Sequence, residues 1–259
     1  MSDRFYANSD FDANTVELTG PESHHLTHVL RKRVGEIVTV FNGRGLEATG
    51  EIVETGRRAA IVQIADVHTL PPDTGVDVTL AVAVPKGERF RWLVEKSAEL
   101  GVRRLIPLRT ERSTVDPGEA KLAKMRQTAI ETAKQCGAAR LMEIADVIAW
   151  ADFAGQAFQP DADRNDRIVA KQKDGQAGEL DVRCYIAHPG GEPQATACRQ
   201  IRPADSIWFL IGPEGGFTRD EVAQATATGA IAVDLGRNIL RTETAAIALA
   251  AWARLTFTG

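Results

Sequence analysis

The spacing of apolar residues changes character near residue 75. Before it, Glu36 to Phe41 (EIVTVF) alternates apolar with polar, the pattern of a strand with one buried face. Asn42-Gly43 is a turn signal, and Leu46 to Val53 and Ala59 to Val67 read as further short strands. Residues 1–70 therefore predict a small β-domain. His68-Thr69-Leu70-Pro71-Pro72-Asp73-Thr74-Gly75 predicts a linker, because its two prolines and its Asp and Gly break either regular element.

After the linker, Val76 to Val84 is an apolar, β-branched run, as in a strand buried on both faces. Phe90, Leu93, Val94 and Ala98 recur at helical spacing, and Gly101 stands where that helix should stop. Arg104 to Leu108 is a strand; Leu122, Met125, Ala129, Ala133 and Cys136 mark a second helix, closed by Gly137. Residues 155–181 are polar without clear period and predict a surface excursion. Three strands follow: Val182 to Ala187, Ser206 to Ile211 and Ile231 to Leu235. Thr218 with Glu221 forms a capping box for the helix between the last two. A last helix, about Thr244 to Phe257, is apolar nearly all round and predicts burial in a core or against a partner subunit. Alternating strands and helices imply a mostly parallel α/β sheet over 76–259.

Composition bounds the function without naming it. The 259 residues suffice for one large domain or two modest ones, and 44% hydrophobic with 25% charged is ordinary for a globular protein. No apolar run approaches 18 residues and no apolar leader opens the chain, so the expectation is a cytoplasmic protein without a membrane span. Cys136, Cys184 and Cys198 lack metal-site spacing and fit reduced thiols. The net charge of -4 argues against a nucleic-acid partner, but its distribution argues for one. Between Lys86 and Arg140 thirteen Lys and Arg face seven Asp and Glu, and local fields steer a polyanion more than the total does.

Two motifs fail on context. Gly43-Arg44-Gly45-Leu46-Glu47-Ala48 has the letters of a dinucleotide-binding turn but runs into a strand, not a helix. His24 and His28 are one helical turn apart, but no carboxylate or Cys completes a metal site, and no metal is expected. His25 and the run Arg31-Lys32-Arg33 fit an RNA-facing edge, with a solvated helix end as the plainer alternative. Two other segments stand out: Ile211-Gly212-Pro213-Glu214-Gly215-Gly216-Phe217 and Leu235-Gly236-Arg237-Asn238-Ile239-Leu240-Arg241-Thr242-Glu243. Each joins a buried strand to a helix through glycine, which lets backbone approach a ligand and offers free N–H groups. Two such loops at adjacent strand ends would form the crevice where open α/β sheets bind ligands. Valine at Gly212 or Gly236 should then remove ligand binding while leaving the fold intact.

The pair IGPEGGFTRDEV and LGRNILRTETAA resembles the cofactor loops of the RsmE family of 16S rRNA uridine N3-methyltransferases, in the SPOUT superfamily. Arg4-Phe5-Tyr6 and His25-Leu26-Thr27-His28-Val29-Leu30-Arg31 resemble the family's start. Pro85-Lys86-Gly87-Glu88-Arg89, the run Glu95 to Val102, and Glu111-Arg112-Ser113 resemble its catalytic domain. One segment departs: Ala138 and Met142 stand where the family commonly has arginine and proline, with Arg140 as a substitute.

The resemblance implies a PUA-like β-barrel over 1–70 and a SPOUT α/β domain over 76–259 whose C-terminal segment forms a trefoil knot. It implies S-adenosylmethionine as cofactor, 16S rRNA or the 30S subunit as partner, and a homodimer with the terminal helix at the interface. In the first loop the cofactor residues would be Leu210, Ile211, Gly212, Pro213 and Gly216. In the second they would be Leu235, Gly236, Ile239, Leu240, Thr242 and Thr244. Arg241 is the candidate for stabilising charge on the base, and Glu243 or Glu214 for accepting its proton. His25, Arg31, Lys32, Arg33, Lys86, Arg89 and Arg112 are the RNA-facing candidates. Two rival classes are a nucleotide-binding oxidoreductase or kinase, disfavoured for want of its phosphate loop, and an RNA-binding module that lacks catalysis or a SPOUT-like enzyme acting on a different RNA.

Overall fold

The alternation read from residues 36–67 puts Val38, Val40, Ala48, Ile52, Ala60 and Val62 on one side of three consecutive strands. With Phe5, Phe11, Val16, Leu18 and Leu26 they form a single buried cluster. This computed structural model describes residues 3–71, 76–138, 140–156, 182–197, 199 and 206–257, and residues 155 and 156 by backbone alone. By contacts the chain divides into two units, Met1–Asp73 with Ala129–Leu141, and Thr74–Thr128 with Met142–Gly259.

The first unit is built on β1 (Arg4–Tyr6), β2 (Thr15–Thr19), α1 (Gly20–His24), β3 (Ile37–Phe41), β4 (Leu46–Thr55) and β5 (Ala59–Thr69). Its five-stranded sheet runs β1-β3-β4-β5-β2, antiparallel except where β1 lies parallel to β3. A π-helical turn, His25–Val29, continues α1. Residues Ala129–Leu141 join this unit through two buried cations. Arg4 lies 3.9 Å over the Phe41 ring and donates to Glu47 Oε2 (2.7 Å) and to the carbonyls of Ala133 and Ala138 (2.8 Å each), so it supplies donors to a helix end that lacks them. Lys134, 3% exposed, pairs with Glu22 at 3.0 Å and reaches His25 Nδ1 at 2.9 Å. Ala138, at the departure from the family pattern, is buried against Phe41 and Ala133.

The second unit comprises β6 (Asp77–Ala83), α2 (Arg89–Glu99), β7 (Arg104–Arg109), α3 (Glu119–Cys136, to Thr128), β8 (Glu143–Ile144), β9 (Ile148–Ala149), α4 (Trp150–Gln156), β10 (Val182–Pro193), α5 (Gln194–Ala197), β11 (Ser206–Ile211), α6 (Arg219–Ala227), β12 (Ile231–Asp234) and α7 (Thr242–Phe257). Its sheet runs β12-β10-β11-β6-β7-β8, with β9 also on β7, and every pairing is parallel, as the alternation of elements predicts. The strand expected to end at Ala187 continues to Pro193 through a register shift, and Gly191 sits so close to β12 that a Cβ there would stand 2.6 Å from the Ala232 carbonyl. The polar segment expected as a surface excursion, 155–181, lies almost wholly outside the described residues.

The last helix is apolar nearly all round, yet only one face is buried. Ala245, Ala246, Leu249, Ala250 and Ala253 pack toward α2, β6 and β11, while Thr244, Ala248 and Leu255 stay exposed. Among the described residues no helix is long and apolar enough to cross a membrane. Cys184 is buried and its thiol is pushed up to about 12 by burial; Cys136 is an exposed thiol.

Candidate functional site

Both glycine loops leave the carboxyl ends of parallel strands, the first after β11 and the second after β12. They are not at adjacent strand ends, as the sequence pattern suggests. β10 lies between and pairs with both, because a strand earlier in the chain takes the middle place. What joins the loops is a side chain. Thr242, at the start of α7, donates its hydroxyl to the Gly212 carbonyl at 2.9 Å in a buried hydrogen bond.

Each loop is also held from within. In the first, Gly216 N–H bonds the Pro213 carbonyl at 2.8 Å, a tight turn that Gly216 enters at φ +67°. Thr218 caps α6 as expected: its N–H donates to Glu221 Oε2 and its hydroxyl accepts from Glu221 N–H. Glu221 Oε1 also accepts from Glu111 N–H at 2.9 Å, and Arg112 donates to the Gly215 carbonyl at 2.7 Å. The Glu111-Arg112-Ser113 step thus braces the first loop, and Arg112, expected to face RNA, is engaged in doing so. In the second loop, Asp234 accepts from Gly236 N–H (2.8 Å) and Gly190 N–H (3.0 Å). Those two N–H groups hold its carboxyl below the usual range. Gly236 has φ +111°, which only glycine adopts without strain.

The Gly216 and Gly236 N–H groups are therefore engaged inside the loops. Free donors lie further on: among the described residues, the backbone N–H groups of 237–241 have no hydrogen-bond partner. A Cβ at Gly236 or Gly216 would meet nothing within 4 Å, so space adjoins both, whereas at Gly212 it would meet the Phe217 ring and N–H at 3.1 Å. Leu210 and Ile211 are buried in the sheet, so only their backbone is available to a ligand. Pro213 is buried, Leu235 and Leu240 are half-buried, Thr244 is exposed, and Ile239 is 88% exposed.

Four charged groups complete the site. Arg241 is exposed, and no side-chain partner is found for it among the described residues. Glu243, in the first turn of α7, is buried; among the described residues its Oε2 has no hydrogen-bond partner. Arg89, the first residue of α2, sits between Glu214 Oε1 at 3.1 Å and Glu243 Oε1 at 3.7 Å. Among the described residues neither Glu214 nor Glu243 accepts from a backbone N–H; Glu221 does. An exposed cation, a buried free carboxylate oxygen and open backbone donors can bind an uncharged planar group and move one proton. Uncharged backbone donors, space at both glycines and the apolar Leu235, Ile239 and Leu240 also fit a nucleoside cofactor without phosphates.

The other RNA candidates separate. His25 turns inward to Lys134 and lies edge-on to the Phe5 ring at 5.9 Å. Lys32 is neutralised by Asp3 and Glu36 at 2.9 and 3.0 Å. Arg31, at φ +54°, and Arg33 are exposed, as is Lys86 in the second unit. No local sequence signal marks His25 as occupied, because Lys134 lies 109 residues away; for Lys32 the signal is Glu36, four residues on.

Residues 72–254 match the family model described as an RNA methyltransferase domain, and residues 18–65 match that of an RNA methyltransferase PUA domain. The chain is 29% identical over 238 residues to ribosomal RNA small subunit methyltransferase E of Bacillus subtilis, covering 90% of this chain and 87% of that one. Among solved structures it resembles ribosomal RNA small subunit methyltransferase E of Neisseria gonorrhoeae bound to S-adenosyl methionine, with TM-score 0.79, 27% identity and 98% and 97% of the two chains covered. A methyltransferase of Legionella pneumophila solved with bound SAM gives TM-score 0.79, 28% identity and 99% and 98% coverage.

Proposed function

The chain belongs to the RNA methyltransferase family, and from that premise we propose that it transfers a methyl group from S-adenosylmethionine to N3 of a uridine in the 16S rRNA of the small ribosomal subunit. The observation that carries the reading is the tie between the two loops, Thr242 to Gly212, beside a buried carboxylate oxygen with no partner. The relatives' names supply the cofactor and the RNA.

The cofactor would be held by the backbone of 237–241, the first-loop turn and the apolar side chains of Leu235, Ile239 and Leu240. When bound it supplies an electrophilic methyl on sulfonium, so the transfer itself calls for no metal. The remaining work falls to side chains. N3 lies on the Watson–Crick edge, so the base must be unpaired or extruded. N3 is a poor nucleophile until its proton leaves, and Glu243 Oε2 accepts that proton. Negative charge then spreads over the two flanking carbonyl oxygens, and the unpaired Arg241 guanidinium stabilises it. Arg31 and Arg33 of the first unit, with Lys86, bind phosphates.

Finer features of the family rest on the resemblance of the two loop motifs: closure of the first sheet into a barrel, a trefoil knot at the C-terminal segment, and a homodimer. The dimer has support in the exposed face of α7, where Leu255 is 83% exposed. The test is to incubate small subunits from a strain lacking the enzyme with purified protein and methyl-labelled cofactor. Label should enter 16S rRNA; subunits that stay unlabelled would contradict the reading.

A further inference from the structure

One guanidinium faces two carboxylates at the head of α2, and the chain brings all three from distant segments. Arg89 is half-buried; its Nη1 lies 3.1 Å from Glu214 Oε1, on the first loop, and 3.7 Å from Glu243 Oε1, at the start of α7. The Glu214 side chain is 41% exposed and the Glu243 side chain 8%. Water can therefore solvate Glu214 without help. Glu243 has little water, and Arg89 is the one cation the described residues place beside it. A buried carboxylate left without a counter-charge is strongly disfavoured. Of the two oxygens, Oε1 is the one facing Arg89, at ion-pair rather than hydrogen-bond distance, and Oε2 is the buried atom without a partner among the described residues.

We propose that Arg89 is a positioning residue for methyl transfer: it compensates and orients the Glu243 carboxylate, so that Oε2 is the oxygen presented to the base proton. The role rests on the function proposed above. It also removes Arg89 from the phosphate contacts suggested by its place in the Pro85-to-Arg89 motif. With two carboxylates on one guanidinium the cluster has a net negative charge, which repels phosphate.

A phosphate contact and a positioning role separate in one set of measurements on Arg89→Ala, Arg89→Lys and Glu243→Gln. RNA binding without cofactor, titrated against salt, should give Arg89→Ala the wild-type slope and a dissociation constant within about twofold, since no phosphate contact is lost. Single-turnover transfer at saturating RNA and cofactor should fall at least about tenfold in Arg89→Ala and less in Arg89→Lys, which keeps the charge but not the fork. Combined with Glu243→Gln, either Arg89 change should cost almost nothing more, because the two act through one group. If Arg89→Ala does not fold, the Arg89→Lys and Glu243→Gln cycle distinguishes the same two roles. Wild-type rate in a folded Arg89→Ala, additive losses in the cycle, or a slope reduced by about one unit with rate intact would overturn the proposal. Wild-type protein that labels no RNA would overturn the methyltransferase reading instead, and the salt slope would still report whether Arg89 meets phosphate.

Discussion

Arg241 and Glu243 stand two residues apart in the chain, yet one is exposed and the other buried. In the proposed mechanism that contrast divides the chemistry between a cation for developing charge and a carboxylate for a proton. Losing one such charge-stabilising donor costs other enzymes about 3–4 kcal/mol. Arg241→Ala should therefore lower single-turnover transfer by about two to three orders of magnitude while cofactor affinity by calorimetry barely changes; a retained rate would move the role elsewhere. Thr242→Val leaves the buried Gly212 carbonyl unpaired, a cost of about 1–3 kcal/mol. A lower melting temperature and weaker cofactor binding should appear together, and an unchanged melt would mean that the loop tie contributes little. Gly212→Val does not isolate ligand contact as the sequence suggests, since the new side chain would meet Phe217. Sequence shows which residue types could do chemistry here. It does not show that Arg89 and Arg112 are engaged, because contacts across 103 to 154 residues leave no local signal.

At the scale of elements, periodicity is most legible where one face is buried. β6, α2, β7, β11, the capping box of α6 and the glycine after α3 all appear where spacing predicts them. β10 is the exception: His188-Pro189-Gly190-Gly191 reads as a turn and does bulge out of register, with Gly190 at φ +83° and held by the Asp234 carboxylate, but pairing with β12 resumes at Glu192. Strand order is equally hidden, since nothing local tells β10 to lie between β11 and β12. Asp234 makes this region sensitive to acid. Its folded pKa is lowered, so its hold on Gly190 and Gly236 is fully present above the unfolded value of 3.8 and is lost as pH falls through the lower folded value. Cofactor affinity should thus carry a decline below about pH 4, in the range where circular dichroism is still native, and Asp234→Asn should lack that decline. Persistence of the same decline in Asp234→Asn would assign it to another group. In the first unit, removing Lys134 would strand the buried Glu22 carboxylate at a cost of about 3–5 kcal/mol. Lys134→Met should lower the urea midpoint accordingly, and an unchanged midpoint would show that the pair adds nothing.

For the whole molecule, a net charge of -4 conceals which cations are paired and which are not. Many cations of 86–140 stand in pairs: Arg91 with Glu95, Lys96 with Glu99, Arg104 with Glu143, Arg109 with Asp116, and Arg126 with Glu119 and Asp146; of these acids only Glu143 and Asp146 lie outside the segment and so reduce its excess. Of Arg31, Lys32 and Arg33, only the two arginines are without carboxylate partners among the described residues. Changing both arginines to glutamine should reduce the slope of log RNA affinity against log salt by about two units, not three, with cofactor affinity unaltered. Sedimentation at micromolar concentration should give twice the chain mass, and a stable active monomer would refute the dimer. The claim on which the rest depends is the atom that receives the methyl group. Labelled 16S rRNA from the subunit assay, digested to nucleosides and separated against standards, should carry its label as 3-methyluridine; label in a C5-methylated base, a ribose-methylated nucleoside or a cytidine would contradict it.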